Sequence, residues 1–244
     1  MLNFIGCGNA FNTELGNNAA FVKKENVLFL IDCGSTTFDR LKKSNMLRGV
    51  QYVCVILTHT HADHIGSLGD LIAYGYYSMG KTGEPNVYVL APYPLQIGAL
   101  LKMMGVKEGI YKLTQFHETI GFHLHHFHID LEAVPVKHVK EMNCYGYIIH
   151  YENKTIYYSG DCCEIPQRII DKLHNGAIDL FYQDTCKADY EDNVHLSLKK
   201  LTQLVDRKAR DKVYCMHLDS GFDEKKAKEL GFHVVSPVGS DPEA

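Results

Sequence analysis

The tract Thr58-His59-Thr60-His61-Ala62-Asp63-His64-Ile65-Gly66 places four candidate metal ligands within six residues. It follows the apolar, β-branched run 53–57, which reads as a buried strand, so the ligands sit in a loop at a strand end. His59 and His61 alternate, and an extended backbone aims both to one side. Asp63 and His64 come as the chain turns into a helix and can face a second point nearby. Imidazole nitrogen and carboxylate oxygen are the donors that zinc takes at hydrolytic sites. A merely histidine-rich surface loop does not require this mixture at this spacing.

The rest of the chain supplies a frame for that loop. Its 244 residues are 45% hydrophobic and 22% charged, which suits a single α/β domain over 1–244 able to bury a core without disulfides. Lys and Arg number 25 against 29 Asp and Glu, a net charge of −4 that argues against a broad nucleic-acid-binding face. The start, Met1-Leu-Asn-Phe-Ile-Gly-Cys-Gly8, has neither the basic nor the long apolar region of a signal peptide. No run reaches the ~18 apolar residues of a membrane span. The eight cysteines include no C-x2-C pair, against a zinc ribbon. The expectation is a cytoplasmic protein with reduced thiols and no membrane partner.

Strands are expected at 2–6, 52–57, 86–90, 179–183, 213–216 and 233–235, with one long strand or two over 122–136. Hairpins are expected around Lys24-Glu-Asn26 and Glu152-Asn-Lys154. Helices are expected at 38–46, 68–77, 95–104, 165–173, 197–210 and 223–230. Two stretches echo each other: 24–33 and 152–162 both run turn, strand, Asp, Cys.

Three more candidate ligands fall at strand ends. His138 follows the alternating run 133–137. Asp161 follows a strand beside Gly160, and His217 closes the run 213–216. Further on, His195 stands just ahead of a helix that Ser197 can cap, and a histidine beside oriented helix N–H groups suits a phosphate.

His59-x-His61-x-Asp63-His64 after a buried strand resembles the metallo-β-lactamase superfamily. Gly6-Cys-Gly8, Phe29-Leu-Ile-Asp-Cys-Gly34, His138, Ser159-Gly-Asp161 and Met216-His217 resemble its further motifs, so the likeness spans nearly the whole chain. It implies an αββα sandwich, two mixed β-sheets flanked by helices. It also implies two metal ions, one held by His59, His61 and His138, the other by Asp63, His64 and His217, with Asp161 bridging. Histidine at position 61, where a di-iron redox relative would carry Glu, suits zinc hydrolysis, with manganese or iron as alternatives.

Asp192-Asn-Val-His195-Leu-Ser197 resembles the His-Ser-Thr motif of the ribonuclease Z-like phosphodiesterase branch, and Gln183-Asp184-Thr185 resembles the acidic motif just upstream in that branch, which implies that Asp184 orients His195 by a hydrogen bond. There the histidine contacts the scissile phosphate. The long tRNA-gripping arm of ribonuclease Z has no room between 146–151 and 155–161. The short chain, its Met1-Leu-Asn-Phe-Ile-Gly6 start and the His195 motif together resemble the phage anti-Pycsar family of cyclic nucleotide phosphodiesterases. That resemblance implies a small cyclic nucleotide (cyclic CMP or cyclic UMP) as partner, 5′-monophosphate as product, catalytic roles for His195 and Asp63, and a homodimer without a stable nucleic-acid complex. If phage-encoded, the protein would work in the host cytoplasm and evade Pycsar defence. Alternatives are tRNA 3′ processing, lactam or thioester hydrolysis, and non-enzymatic nucleotide sequestration.

Other residues invite a functional reading that a plainer one opposes. His123, His125, His126 and His128 would split between two faces of a strand, as surface residues or adventitious metal binders. The segment 103–116, with Tyr111 and Phe116, is a candidate lid or docking loop. Tyr74, Tyr76 and Tyr77 are candidates for base stacking or for packing.

Overall fold

The computed structural model describes residues 1–81 and 83–239. Their contacts gather in two compact units, residues 2–117 joined by the C-terminal stretch from 236, and residues 118–235 joined by Met1. Each unit is built on one mixed sheet.

In the first unit the strands are β1 (Asn3–Gly6), β2 (Ala19–Lys24), β3 (Val27–Ile31), β4 (Tyr52–Ile56), β5 (Val87–Pro92) and β6 (Lys112–Phe116), in spatial order β1-β2-β3-β4-β5-β6. β1, β2 and β3 pair antiparallel, and β3 to β6 pair parallel. The β2–β3 hairpin turns at Glu25–Asn26, with Glu25 left-handed at φ 51°. Helices α1 (Thr37–Lys43), α2 (Ala62–Ile65), α3 (Leu68–Ser78) and α4 (Ile97–Met103) supply the connections. α1 packs on β1 and α3, and α3 packs on β5. The central strands β3 and β4 are buried almost throughout, as continuous apolar runs in a parallel sheet must be. The C-terminal stretch returns to this unit, where the Val238 amide donates to the Phe4 carbonyl.

In the second unit the strands are β7 (Thr119–Leu124), β8 (Phe127–Val136), β9 (Cys144–Tyr151), β10 (Lys154–Tyr158), β11 (Leu180–Asp184), β12 (Val213–Met216) and β13 (His233–Val234), in order β13-β12-β11-β10-β9-β8-β7. β7 to β10 are an antiparallel meander, and β10 to β13 run parallel. The helices are α5 (Gln167–His174), α6 (Leu198–Leu204) and α7 (Glu224–Glu229). The two echoing stretches thus have one plan, a hairpin whose second strand starts a parallel run and ends in an aspartate, Asp32 after β3 and Asp161 after β10.

Three sequence expectations need correction. The helix expected over 197–210 is α6 followed by a 3-10 turn, Arg207–Lys212. The chain extends at Val205, and the Arg210 guanidinium donates to the carbonyls of Thr202, Val205 and Leu230, bonds a continuous helix would not offer. The segment 103–116 is not a free lid, because its end is β6, parallel to β5, and Phe116 is buried. The run 122–136 takes the two-strand form of the expectation, so its histidines lie about a hairpin and do not divide evenly between two faces of one strand. The eight cysteines are free thiols, and no described helix is long and apolar enough to cross a membrane.

Candidate metal centre

Parallel strands carry their C-terminal ends to one edge of a sheet, and in the first unit the His59 tract leaves that edge from β4. Asp32 leaves it from β3. Asp32 is fully buried, at φ 66°, and its carboxylate accepts from the Thr58 amide (2.8 Å), the Thr58 hydroxyl (2.8 Å) and His64 Nδ1 (2.8 Å). Burial pushes its carboxyl above the usual range, against the pull of His64 and Thr58. The Thr58 hydroxyl, committed as donor to Asp32, accepts from His59 Nδ1 at 3.0 Å. Both rings are therefore anchored through Nδ1 and present Nε2 as the acceptor atom, the tautomer a metal-binding imidazole needs. His59 Nε2 lies 3.0 Å from His61 Nδ1, and His64 Nε2 lies 3.3 Å from Asp63 Oδ2. Gly34 lets the loops close, because a Cβ there would run into the Asp63 carbonyl.

The second unit presents a matching set at the ends of β8, β10, β11 and β12. His138 Nδ1 donates to the Val194 carbonyl (2.9 Å), and its Nε2 is 3.8 Å from Asp161 Oδ2. His217, left-handed at φ 58°, puts Nε2 3.2 Å from the same oxygen and Nδ1 3.4 Å from Asp184 Oδ1. His195 Nδ1 donates to Asp184 Oδ2 at 2.7 Å, the contact that the motif resemblance implies. The Cys162 amide also donates to that oxygen, at 2.9 Å. Donor atoms of Asp161, Asp184, His195 and His217 all lie within 4.8 Å of one another. The His195 ring stacks on His217 at 4.9 Å. Burial works against protonating His195, but the charge and hydrogen bond of Asp184, with Asp161 beyond, raise its pKa above the ordinary value. Burial would raise Asp184 too, yet the two histidines hold it below the usual carboxylate range.

These residues fit divalent metal. Among the described residues His64, His138 and His217 each turn Nδ1 to an oxygen and Nε2 to a carboxylate-bearing neighbourhood. Asp161 and Asp184 are both buried carboxylates in one cluster, which a cation stabilises. Two parts of this arrangement went unread in the sequence: the anchoring role of Asp32, and the second contact of Asp184, to His217. The signal for Asp32 was present in the echo, which sets it opposite Asp161.

Tyr74 and three further histidines have partners of their own outside these clusters. Tyr74 lies against Phe38 with Lys42 over its ring. His117 stacks on Tyr93, His233 stacks on Tyr214, and His174 accepts from the Asp206 amide. Ser197 caps α6 by accepting from the Lys200 amide.

A family model described as anti-Pycsar protein Apyc1 matches residues 1–236. The anti-Pycsar protein Apyc1 of Paenibacillus harenae is 23% identical over 247 aligned positions, covering 97% of each chain. Among solved structures, a diphosphatase from the PhnP family matches at TM-score 0.75 and 19% identity, over 97% of this chain and 94% of its own. The metallo-β-lactamase fold protein YhfI of Bacillus subtilis matches at TM-score 0.72 and 15% identity, over 96% of both. The fold is the metallo-β-lactamase fold, two mixed sheets flanked by helices.

Proposed function

The chain belongs to the anti-Pycsar protein Apyc1 family, and from that we propose that it is a zinc-dependent phosphodiesterase hydrolysing 3′,5′-cyclic nucleotides, cyclic CMP and cyclic UMP among them, to nucleoside 5′-monophosphates. In this reading His59, His61 and His138 hold one ion, Asp63, His64 and His217 the other, and Asp161 serves both. Such ions supply Lewis acidity toward phosphoryl oxygens and make water a nucleophile near neutral pH.

The observation that carries the reading is the Asp184–His195 pair, 2.7 Å apart beside Asp161 and His217. A protein that only held metal, or only sequestered a nucleotide, has no use for a carboxylate-oriented imidazole there. Asp184 holds Nδ1–H of His195, so Nε2 faces the substrate. His195 donates its proton from Nε2 to the leaving 3′ oxygen. Asp63 accepts a hydrogen bond from the attacking water and keeps it in line. Asp32 acts through His59 and His64, holding their rings in one tautomer.

Transfer-RNA processing is the weaker reading. β9 and β10 meet in a two-residue turn, Glu152–Asn153, both left-handed, which leaves no place there for a tRNA-gripping arm. The net charge of −4 gives no general hold on RNA. Dimerisation belongs to the same proposal, with Met103 at the end of α4 79% exposed and Met104 beside it 42% exposed. So does action in the host cytoplasm against a cyclic-nucleotide defence. Product release with cyclic CMP in large excess separates an enzyme from a sponge. Steady multiple turnover supports the proposal, and one-to-one uptake without product refutes it.

A further inference from the structure

The histidine-rich tract, which the candidate centre does not use, forms the tip of the hairpin between β7 and β8. β7 is the edge strand of its sheet. The turn is His125–His126, with His125 left-handed at φ 54°. Register sets His123 directly opposite His128, and their rings meet edge to face with centroids 5.1 Å apart. Two residues along β8, on the same face, Asp130 Oδ1 lies 3.3 Å from His123 Nε2. Gly121 makes that approach possible, because a Cβ there would stand 2.8 Å from both of those atoms. The side chains of His123 and Asp130 are 58% and 66% exposed. A groove of about 400 Å³ adjoins them, lined by Gly121, Asp130, Glu132 and His150.

We propose that His123, His128 and Asp130 form a surface site for a divalent transition-metal ion of the zinc, nickel or copper type. Strand alternation accounts for polar residues on this face, since Phe122, Phe127 and Ile129 point into the core. It does not account for two imidazoles in register with a carboxylate that is diagonal to His123, two residues along the strand from His128, and opposite a glycine. Cross-strand neighbours sit ~4.5–5.5 Å apart at Cβ, a span that one ion bound to both rings can bridge. The rings are exposed, so they rotate into place without repacking a core. Two nitrogens and one oxygen favour zinc, nickel or copper over magnesium or calcium, which want oxygen ligands. The groove leaves room for water to complete the coordination shell. The site lies within one sheet and is separate from the residues assigned above to the candidate centre.

The test uses the full-length protein already loaded with zinc and desalted. Nickel is titrated into it and followed by calorimetry, with bound metal counted after a second desalting. The expected result is one nickel equivalent beyond the resident zinc. The double variant His123→Ala/His128→Ala should lose that equivalent and keep its resident zinc, thermal unfolding profile and hydrolytic rate. His123→Gln, which preserves size and polarity, should weaken binding at least tenfold, and Asp130→Asn should weaken it less. Nickel uptake equal to wild type in the double variant overturns the proposal, as does the absence of any extra equivalent in the wild type.

Discussion

Replacing Asp184 by Asn probes the site at the point where its two chemistries meet. The exchange preserves shape but leaves one acceptor where there were two. Asp184 Oδ2 now receives His195 Nδ1–H at 2.7 Å and the Cys162 amide at 2.9 Å, while Oδ1 faces His217 Nδ1 at 3.4 Å. In the variant the amide group must face one of these N–H groups, so one ring is forced to the other tautomer. If that ring is His195, its proton moves to the wrong nitrogen and the leaving group loses its acid. A positioned general acid is worth ~10²–10⁴ in rate, or about 2.7–5.4 kcal/mol of barrier. If it is His217, metal affinity falls by the ~10–100-fold typical of a lost outer partner. Measuring kcat on cyclic CMP at saturating zinc isolates the first effect. We expect a loss of ~10²–10⁴ that shrinks on a nitrophenyl phosphodiester, whose leaving group needs no proton. His195→Ala should show the same pattern with resident metal unchanged. A kcat within a few-fold of wild type on cyclic CMP, together with unchanged zinc affinity, would refute the role given to the pair.

Asp161→Ala and His61→Ala should each lose bound metal and nearly all activity, and full zinc content in Asp161→Ala, read by metal analysis, would remove its shared role. Asp32→Ala leaves three buried donors without their acceptor, so urea unfolding should report a loss of ~3–5 kcal/mol; an unchanged midpoint would contradict the anchoring role. Light scattering should find a dimer of twice the 27.6 kDa chain mass, and a monomer at micromolar concentration would end that part of the proposal.

What was legible in the sequence was whatever local chemistry dictates. The Glu25–Asn26 and Glu152–Asn153 turns carry residues that tolerate left-handed backbone, so both hairpins could be placed to within a residue. β4 and β11 are apolar runs that end in the residues of the site, and the metal tract is compact enough to stand out unaided. What stayed hidden depends on partners far along the chain. β6 is a half-exposed edge strand without a clean apolar alternation, so only its pairing with β5 identifies it. The break after α6 depends on Arg210 reaching back to the carbonyls of 202 and 205. Asp32 looked like the end of a strand, and its function appears only when β4 brings Thr58 and His64 alongside. Asp184 could be linked to His195 only through the motif resemblance, and its contact with His217 on the next strand had no local signal at all.

The most direct test of the central claim sets two substrates against each other in the same zinc-loaded preparation, cyclic CMP and a precursor tRNA, over a range of salt concentrations, with products identified by mass. The account predicts conversion of cyclic CMP to 5′-CMP at a rate nearly independent of salt. It also predicts weak tRNA cleavage that falls steeply as salt rises, because any hold there is through phosphates. Efficient tRNA cleavage with cyclic CMP left intact would contradict it.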